Sequence, residues 1–313
     1  MKPKIAIIVP VYNAGKFLEK GLECLTNQTF SDIQIICVND ASPDNSKEIL
    51  EKMAAQDSRI VVLNHEVNKG ASAARNTGLD YVYANLPEVE YIALFDADDK
   101  IELNAYEKAY TEAKKSGADI VNFQFLPSQY WEYKTESTAE PIEFEGNCLD
   151  AILGTEEFYT FVVCWSKIYK KELLEDLRFA DQKFFEDGAF AYKVLARANK
   201  LRVIPDVLYQ YNNENPDSTC TLTDEQRRLR DIFKTMKDTI EDWTQLGIAE
   251  RYKYQFVKNI LLYTSLVCPK AIEGNYTQEL KDNLAINPQE ELAANNVPDV
   301  TKGFILKMTT EQK

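Results

Sequence analysis

Three aspartates stand within four positions, Asp96, Asp98 and Asp99, directly behind the apolar run Tyr91-Ile92-Ala93-Leu94-Phe95. The run reads as a strand buried on both faces. Three carboxylates this close cannot follow it into a core, because burying unpaired charge is very costly. They belong at the strand's carboxyl end, against water or a cation. Open α/β sheets bind their ligands at that end. Oxygen ligands at this spacing suit a hard ion such as Mg²⁺ or Mn²⁺. The bland alternative is a loop in which Asp98 or Asp99 caps the next helix. Farther along, Glu186 and Asp187 follow the aromatic pair Phe184-Phe185. A carboxylate against aromatic walls has its ionised form disfavoured, which raises its basicity. The bland alternative there is a pair of first-turn acids favoured by a helix dipole.

The elements that must position these groups can be read from periodicity. Apolar runs over residues 4–12, 33–38, 60–63, 91–95 and 119–125 predict strands. Between them, Phe17, Leu18, Leu22 and Leu25, then Ile49, Leu50 and Met53, then the alanine-rich stretch 71–83, predict helices. A further helix is expected over 103–115, stopped by Gly117. Strand and helix alternate from the start, which implies an α/β fold with a mostly parallel sheet flanked by helices. Residues 127–146 are polar and aromatic and predict a loop or irregular hairpin, either an ordinary insertion or a substrate-covering flap. The stretch 165–174 reads as a short extended piece turning into a helix, and 201–211 as a final strand. Beyond Pro216 the pattern changes. Leu229, Ile232, Phe233, Met236, Ile240 and Trp243 step by three and four, predicting an amphipathic helix, and 248–267 predicts another. The expected division is therefore 1–215 and a helical C-terminal extension, 216–313.

Several short motifs sit at the ends of these elements. Val9-Pro10-Val11-Tyr12-Asn13 ends the first strand, and Asn39-Asp40-Ala41-Ser42-Pro43-Asp44 the second. Asn68 to Gly78, containing Arg75, opens the third helix, and Asp96-Ala97-Asp98-Asp99 ends the fourth strand. In this order, together with Val163-Cys164-Trp165-Ser166-Lys167-Ile168-Tyr169 and Phe185-Glu186-Asp187, they resemble family-two glycosyltransferases of the GT-A fold. In particular they resemble the bacterial members that build capsule, exopolysaccharide or lipopolysaccharide. The resemblance covers residues 4–211.

It implies a metal-dependent, inverting glycosyltransferase using a nucleotide-sugar donor, expected to be a UDP-sugar, and a glycan or lipid-linked glycan acceptor. Pro10, Tyr12, Asp40, Arg75, Asp96 and Ala97 are implied at the donor. Asp96, Asp98 and Asp99 are implied at Mn²⁺ or Mg²⁺, Asp187 as the base, and Trp165 and Glu186 on the acceptor side. Residue chemistry agrees. An ionised Asp40 accepts an imide N–H of uracil or thymine, and Tyr12 can cover the ring; the alternative for Asp40 is a loop residue at a helix start. Arg75 can touch phosphate or orient the acidic loop, or lie on the surface. Trp165 can wall the acceptor or fill the core. Two spellings depart from the family's commoner motif: Asn39 replaces an Asp, and Ala41 a Gly, implying no need for positive φ at 41. His65 reads as a satisfied loop or core histidine.

Composition limits the alternatives. A net charge of −14 argues against binding nucleic acid or anionic lipid non-specifically. The start, Met1-Lys2-Pro3-Lys4, carries no signal-peptide pattern, and the late apolar run 260–268 falls far short of the ~20 residues of a membrane helix. A cytoplasmic protein is expected, peripheral at the inner membrane face if the C-terminal helices dock there. Those helices are otherwise expected to take a partner or a second copy. Six scattered cysteines without C-x-x-C predict free thiols and no zinc site. Two rival classes keep the acidic cluster. A sugar-nucleotide-forming nucleotidyltransferase needs a Gly-rich basic loop after strand one, where this chain has only Gly15 and Lys16. A non-catalytic nucleotide-sugar-binding protein does not need Asp187.

Overall fold

The computed structural model describes residues 2–133, 137–153, 162–215 and 224–268. Strands and helices alternate as β1 (Ile5–Val11), α1 (Leu18–Thr26), β2 (Ile33–Asn39), α2 (Ser46–Gln56), β3 (Ile60–Asn64), α3 (Ala71–Asn85) and β4 (Tyr91–Leu94). Next come β5 (Lys100–Ile101), α4 (Ala105–Ser116), β6 (Ile120–Pro127), β7 (Ile142–Glu145), α5 (Leu149–Leu153) and β8 (Lys167–Lys170). The last described elements are α6 (Glu186–Leu195), β9 (Lys200–Tyr211), α7 (Glu225–Gln245) and α8 (Ala249–Val267). The described residues form two compact units. One spans 1–148, 163–181 and 197–216 and holds every strand; the other gathers 149–162, 182–196 and the chain from 217.

The strand order in the first unit is β3-β2-β1-β4-β8-β6-β9-β5, with β7 also on β9. β1 forms because Ile5 to Val9 are all fully buried apolar residues, in parallel register with β2 on one side and β4 on the other. The four strands β3, β2, β1 and β4 are parallel. Beyond them the sheet is mixed: β8 runs antiparallel between β4 and β6, while β6 and β9 are parallel. Strand order reverses at β1, so a topological switch point lies between β1 and β4, where ligands bind in open sheets. Pro10 sits at this place. Ile8 still accepts from Phe95 N at 3.0 Å, but β4 leaves the ladder there. The N–H that Pro10 lacks is the next one facing that side, so its absence costs no ladder bond and ends the pairing.

Two short strands went unread in the sequence. β5 has two residues and exists by pairing with Tyr209 and Gln210 of β9. β7 lies inside the stretch expected as loop or hairpin, which also contains a 3₁₀ turn over Ser128–Tyr133. Five of the six cysteines are described, all as free thiols, and burial pushes the Cys37 thiol up to about 12. No helix among the described residues is long and apolar enough to cross a membrane.

The entry to β4 is fixed by a charged cluster. Glu90 accepts from Lys4 Nζ at 2.7 Å, Lys114 Nζ at 2.9 Å and Tyr110 Oη at 3.0 Å. Burial opposes its ionisation, but these donors outweigh it and hold the carboxyl at about 2. A depressed folded pKa gives stability that is present above the unfolded value and lost as pH falls through the folded one. Glu90→Gln is therefore expected to lower the urea midpoint at pH 7. The gap to wild type should shrink as pH falls from about 4.5 toward 2. A gap independent of pH would remove the ionic account.

In the second unit, α7 buries Leu229, Ile232, Phe233, Met236 and Trp243 on one face. Asp224 caps it by accepting from Arg227 N at 2.9 Å. Trp243 packs against Tyr192 of α6 and against Tyr252 and Phe256 of α8. The expected amphipathic helix is thus formed, with Ile240 only half-buried. Of the helical extension expected over 216–313, residues 216–223 and 269–313 lie outside the described residues.

Candidate active site

The candidate groups of the first unit meet at the carboxyl ends of β1, β2 and β4. Tyr12 follows β1 and is half exposed. Asp40 follows β2, with its N–H donating to Val11 O at 2.8 Å, so the two residues stand side by side at adjacent strand ends. Asp40's carboxylate is turned inward. It accepts from His65 Nδ1 at 2.6 Å, Lys69 N at 2.9 Å and Gly70 N at 2.7 Å. The His65 Nε2 lies 2.9 Å from Thr77 Oγ1 on α3. Asp40 therefore holds the loop between β3 and α3 in shape, and His65 is the satisfied buried histidine that its position suggested.

The loop after β2 carries strain that its spelling hides. Ala41 has φ 54, in the left-handed region. The inference that an alanine here means no positive φ is thus incorrect: the backbone takes the glycine conformation with a Cβ attached. The reason is tertiary. Ser42 N donates to Asn39 Oδ1, Ser42 Oγ to Val11 O, and Asp44 Oδ2 accepts from Gly15 N at 2.8 Å. Those bonds fix the loop against the turn after β1 and leave residue 41 no other conformation. Burial works against Asp44's charge, but hydrogen bonds from Ser46 and Gly15 more than compensate and lower its pKa. Ala41→Gly is expected to raise stability by about 0.5–1 kcal/mol by relieving the left-handed alanine, net of glycine's extra chain entropy. Denaturant midpoints measure this, and an unchanged or lowered midpoint would contradict it.

The acidic turn is fixed from both sides. Asp99 N donates to Asp96 O at 3.0 Å, closing the turn. Arg75, buried on α3, donates Nη2 to Asp96 Oδ1 at 2.8 Å, and its guanidinium lies 5.2 Å from the Phe179 ring centroid. Of the options for Arg75, orienting the acidic loop is the one this geometry displays. Truncating such a buried partner typically costs about 3–5 kcal/mol, because a charge is left uncompensated. From β9, Tyr209 Oη donates to Asp99 Oδ2 and accepts from Asp96 N. Asn212 N donates to Asp99 Oδ1 at 2.7 Å, and Asn215 Nδ2 to Asp98 Oδ2 at 2.7 Å. Neither Asp98 nor Asp99 caps a helix, since β5 follows and α4 starts only after Asn104. Ala97 is buried, and its carbonyl faces α1 so closely that a Cβ on Gly21 would come within 2.9 Å of it.

The three acids differ in environment. Asp99 is buried with both oxygens engaged by protein donors, and burial plus the charges of Asp98 and Asp96 pushes its pKa well up. Asp98 is half-buried, and burial first, then Asp96's charge, raises its pKa despite the Asn215 bond. Among the described residues no three His, Cys, Asp or Glu side chains converge as a metal-binding group. A Mg²⁺-like ion needs only one or two protein carboxylates when a diphosphate supplies further oxygens. Asp96 and Asp98 are the two carboxylates of the turn not wholly engaged by protein donors and could hold such an ion, and a cation would relieve the repulsion that contributes to raising Asp98.

Trp165 is 6% exposed and stacks on Tyr209 at 4.4 Å and Tyr211 at 5.6 Å. It packs in the core behind the residue that pins Asp99. The sequence reading missed Tyr209, Asn212, Asn215 and Phe179. The polar run after the last strand hinted at the asparagines, but nothing local says that they meet a turn more than a hundred residues earlier. In the second unit, Glu186 and Asp187 form the first turn of α6, as the dipole argument allows. Asp187 Oδ1 accepts from Gly188 N at 2.8 Å. Phe184 and Phe185 before them are both buried.

A family model described as Glycosyl transferase family 2 matches residues 6–178. An uncharacterized glycosyltransferase of Bacillus subtilis, EpsJ, is 32% identical over 259 residues, covering 80% of this chain and 72% of that protein. Other relatives are named for minor teichoic acid biosynthesis and for poly(ribitol-phosphate) glucosylation; this chain spans 29% and 32% of them. Among solved structures, Staphylococcus aureus TarS 1–349 in complex with UDP-GlcNAc superposes with a TM-score of 0.76 at 18% identity, over 99% of this chain and 91% of that one. A mannosyltransferase of Pyrobaculum calidifontis in complex with GDP-Man and Mn²⁺ superposes at 0.58 and 16% identity, over 99% of this chain and 87% of that one. The fold is that of GT-A glycosyltransferases.

Proposed function

The chain belongs to glycosyl transferase family 2, and from that premise we propose that it is an inverting, divalent-cation-dependent enzyme. In this reading it moves a sugar from a UDP-sugar to a hydroxyl of a glycan or lipid-linked glycan, in building a surface polysaccharide. The observation that carries the reading is the acidic turn held at the carboxyl end of β4, beside the switch point that Pro10 opens. Relatives named for teichoic acid work support the acceptor class. The UDP-GlcNAc of TarS supports the donor, and the Mn²⁺ of the mannosyltransferase the cation.

The chain's own groups divide the work. Tyr12 offers an exposed ring to the nucleobase. Asp40, whose carboxylate is turned inward onto His65, Lys69 and Gly70, shapes the base side of the pocket through the loop it holds rather than by accepting from the base. Arg75 aims Asp96, and Ala97 carries the turn over α1. Asp96 and Asp98 would hold Mg²⁺ or Mn²⁺, which when bound neutralises charge building on the diphosphate leaving group. Asp99 is committed to Tyr209 and Asn212 and keeps the turn in shape. Asp187 takes the proton of the attacking hydroxyl as it meets the anomeric carbon from the face opposite the diphosphate. Glu186 stands beside it on the acceptor side. In this reading α7 and α8 serve a membrane surface carrying the lipid-linked acceptor, a partner protein or a second copy of the chain.

Release of nucleoside diphosphate from UDP-, TDP- and GDP-sugars, with and without glycan acceptors, tests the whole reading. UDP or TDP is expected to compete ahead of GDP for the site; GDP ranking first would overturn the base assignment. Donor binding without any diphosphate release would mark a binding protein. Pyrophosphate release from a nucleoside triphosphate and a sugar phosphate would mark a nucleotidyltransferase.

A further inference from the structure

The segment that leads into Asp187 is held by helices lying outside the stretch matched by the family model. Asp231 on α7 is buried, and its Oδ2 accepts from Lys183 N at 3.1 Å and Phe184 N at 3.0 Å. Arg227, one turn earlier, donates Nε to both carboxylate oxygens at 3.1 Å, so the buried charge is balanced. Gln182 Nε2 donates to Thr235 Oγ1 at 2.8 Å and to Phe184 O at 3.0 Å. Arg228 lies 5.3 Å from the Phe184 ring centroid, and Tyr263 of α8 stacks on Phe185 at 4.7 Å. All these contacts fall within the second unit.

The clamp ends on a strained residue. Phe185 has φ 60 and ψ 25, the left-handed conformation, which for a bulky side chain is a genuine outlier. Such a residue persists only where its surroundings over-determine it. Here they are the pinned backbone before it, the Tyr263 ring, and Gly188, where a Cβ would come within 2.5 Å of the Phe185 ring. Phe185 is the N-cap of α6, so its dihedrals set the direction in which the helix, with Asp187 in its first turn, leaves the segment before it.

We infer that Asp231 is a positioning residue for Asp187: by fixing the backbone of Lys183 and Phe184 it enforces the strained entry at Phe185 and so aims the base. The inference rests on the reading of Asp187 as the base. Asp231→Ala removes both acceptors, and a displacement of a reacting group by about 1 Å can cost about 10²-fold. A loss of kcat of about that size is expected, with donor KM unchanged. Asp231→Asn keeps one oxygen able to accept from both N–H groups and is expected to retain most of the rate.

The deciding measurement is the same substitution in an Asp187→Asn background. If Asp231 acts through Asp187, Asp231→Ala should cost nothing further there. An equal loss in both backgrounds, or no loss in the wild-type background, overturns the inference. Should Asp231→Ala not fold, Thr235→Val removes the Gln182 bond at nearly constant shape and takes its place in the same cycle, with the same outcomes deciding. Failure of the base reading is separately visible as wild-type turnover by Asp187→Asn alone.

Discussion

Asp187→Asn is expected to slow sugar transfer by about 10²- to 10⁴-fold, the usual contribution of a general base, while leaving donor affinity nearly intact. That factor corresponds to roughly 3–5 kcal/mol on the barrier. The substitution keeps the shape of the first turn of α6, and the Gly188 N–H still finds an oxygen at the same place. What disappears is the ability to take a proton from the acceptor hydroxyl. Three other described groups are committed elsewhere. His65 is buried between Asp40 and Thr77, Asp99 is bound by Tyr209, and Asp96 is paired with Arg75. Glu186→Gln should do less to turnover. Transfer rate and donor affinity measured together decide the matter. A near-normal rate for Asp187→Asn, or a defect lying wholly in donor binding, would place the base elsewhere.

Asp98→Asn is expected to weaken donor affinity in Mn²⁺ by about 10²-fold, and to change little in the presence of chelator. The neutral amide keeps the Asn215 contact region filled but withdraws a charge that a cation would need. Asp99→Asn makes the informative contrast. Its carboxylate is buried under Tyr209 and Asn212, so the same chemical change there should appear first as lost stability. Tyr209→Phe should likewise cost about 1–3 kcal/mol, the usual penalty for leaving a buried polar group without its partner. If Asp98→Asn and wild type bind donor equally in Mn²⁺ and in chelator, the cation assignment fails. If Asp99→Asn behaves like Asp98→Asn with stability unchanged, the division between holding a cation and holding the turn is wrong.

Much of the molecule could be read without its coordinates, and the reasons are local. The first four strands are mostly apolar runs rich in Val, Ile and Leu, and α1 and α7 repeat apolar residues every three or four positions, so pattern alone identifies them. The clustered acids at 96–99 had to lie at a strand end, because three unpaired charges cannot enter a core, but Asp99 is buried there under Tyr209 and Asn212 rather than set against water or a cation. Motif order over residues 4–211 carried the family. β5 and β7 escaped because a two-residue strand has no period, and an exposed one such as Ile142–Glu145 has too weak a pattern. The direction of β8 escaped because a strand's sequence does not encode which neighbour it will meet.

Residue types and spacing by themselves determined an α/β fold with its acids at strand ends, and the resemblance of its motifs to a known family supplied the glycosyltransferase class. Tertiary structure alone decided what surrounds each acid there. Asp98 and Asp99 are chemically identical neighbours in sequence. Asp99 becomes a structural acid because β9, more than a hundred residues later, brings Tyr209 and Asn212 onto it. Asp40 spends its carboxylate on His65 and on the backbone of Lys69 and Gly70, which no spacing rule connects to it. Ala41 and Phe185 take left-handed conformations that their side chains disfavour. Neighbours distant in sequence impose those conformations, since hydrogen bonds and packing supplied from elsewhere outweigh a local preference of about 1–2 kcal/mol.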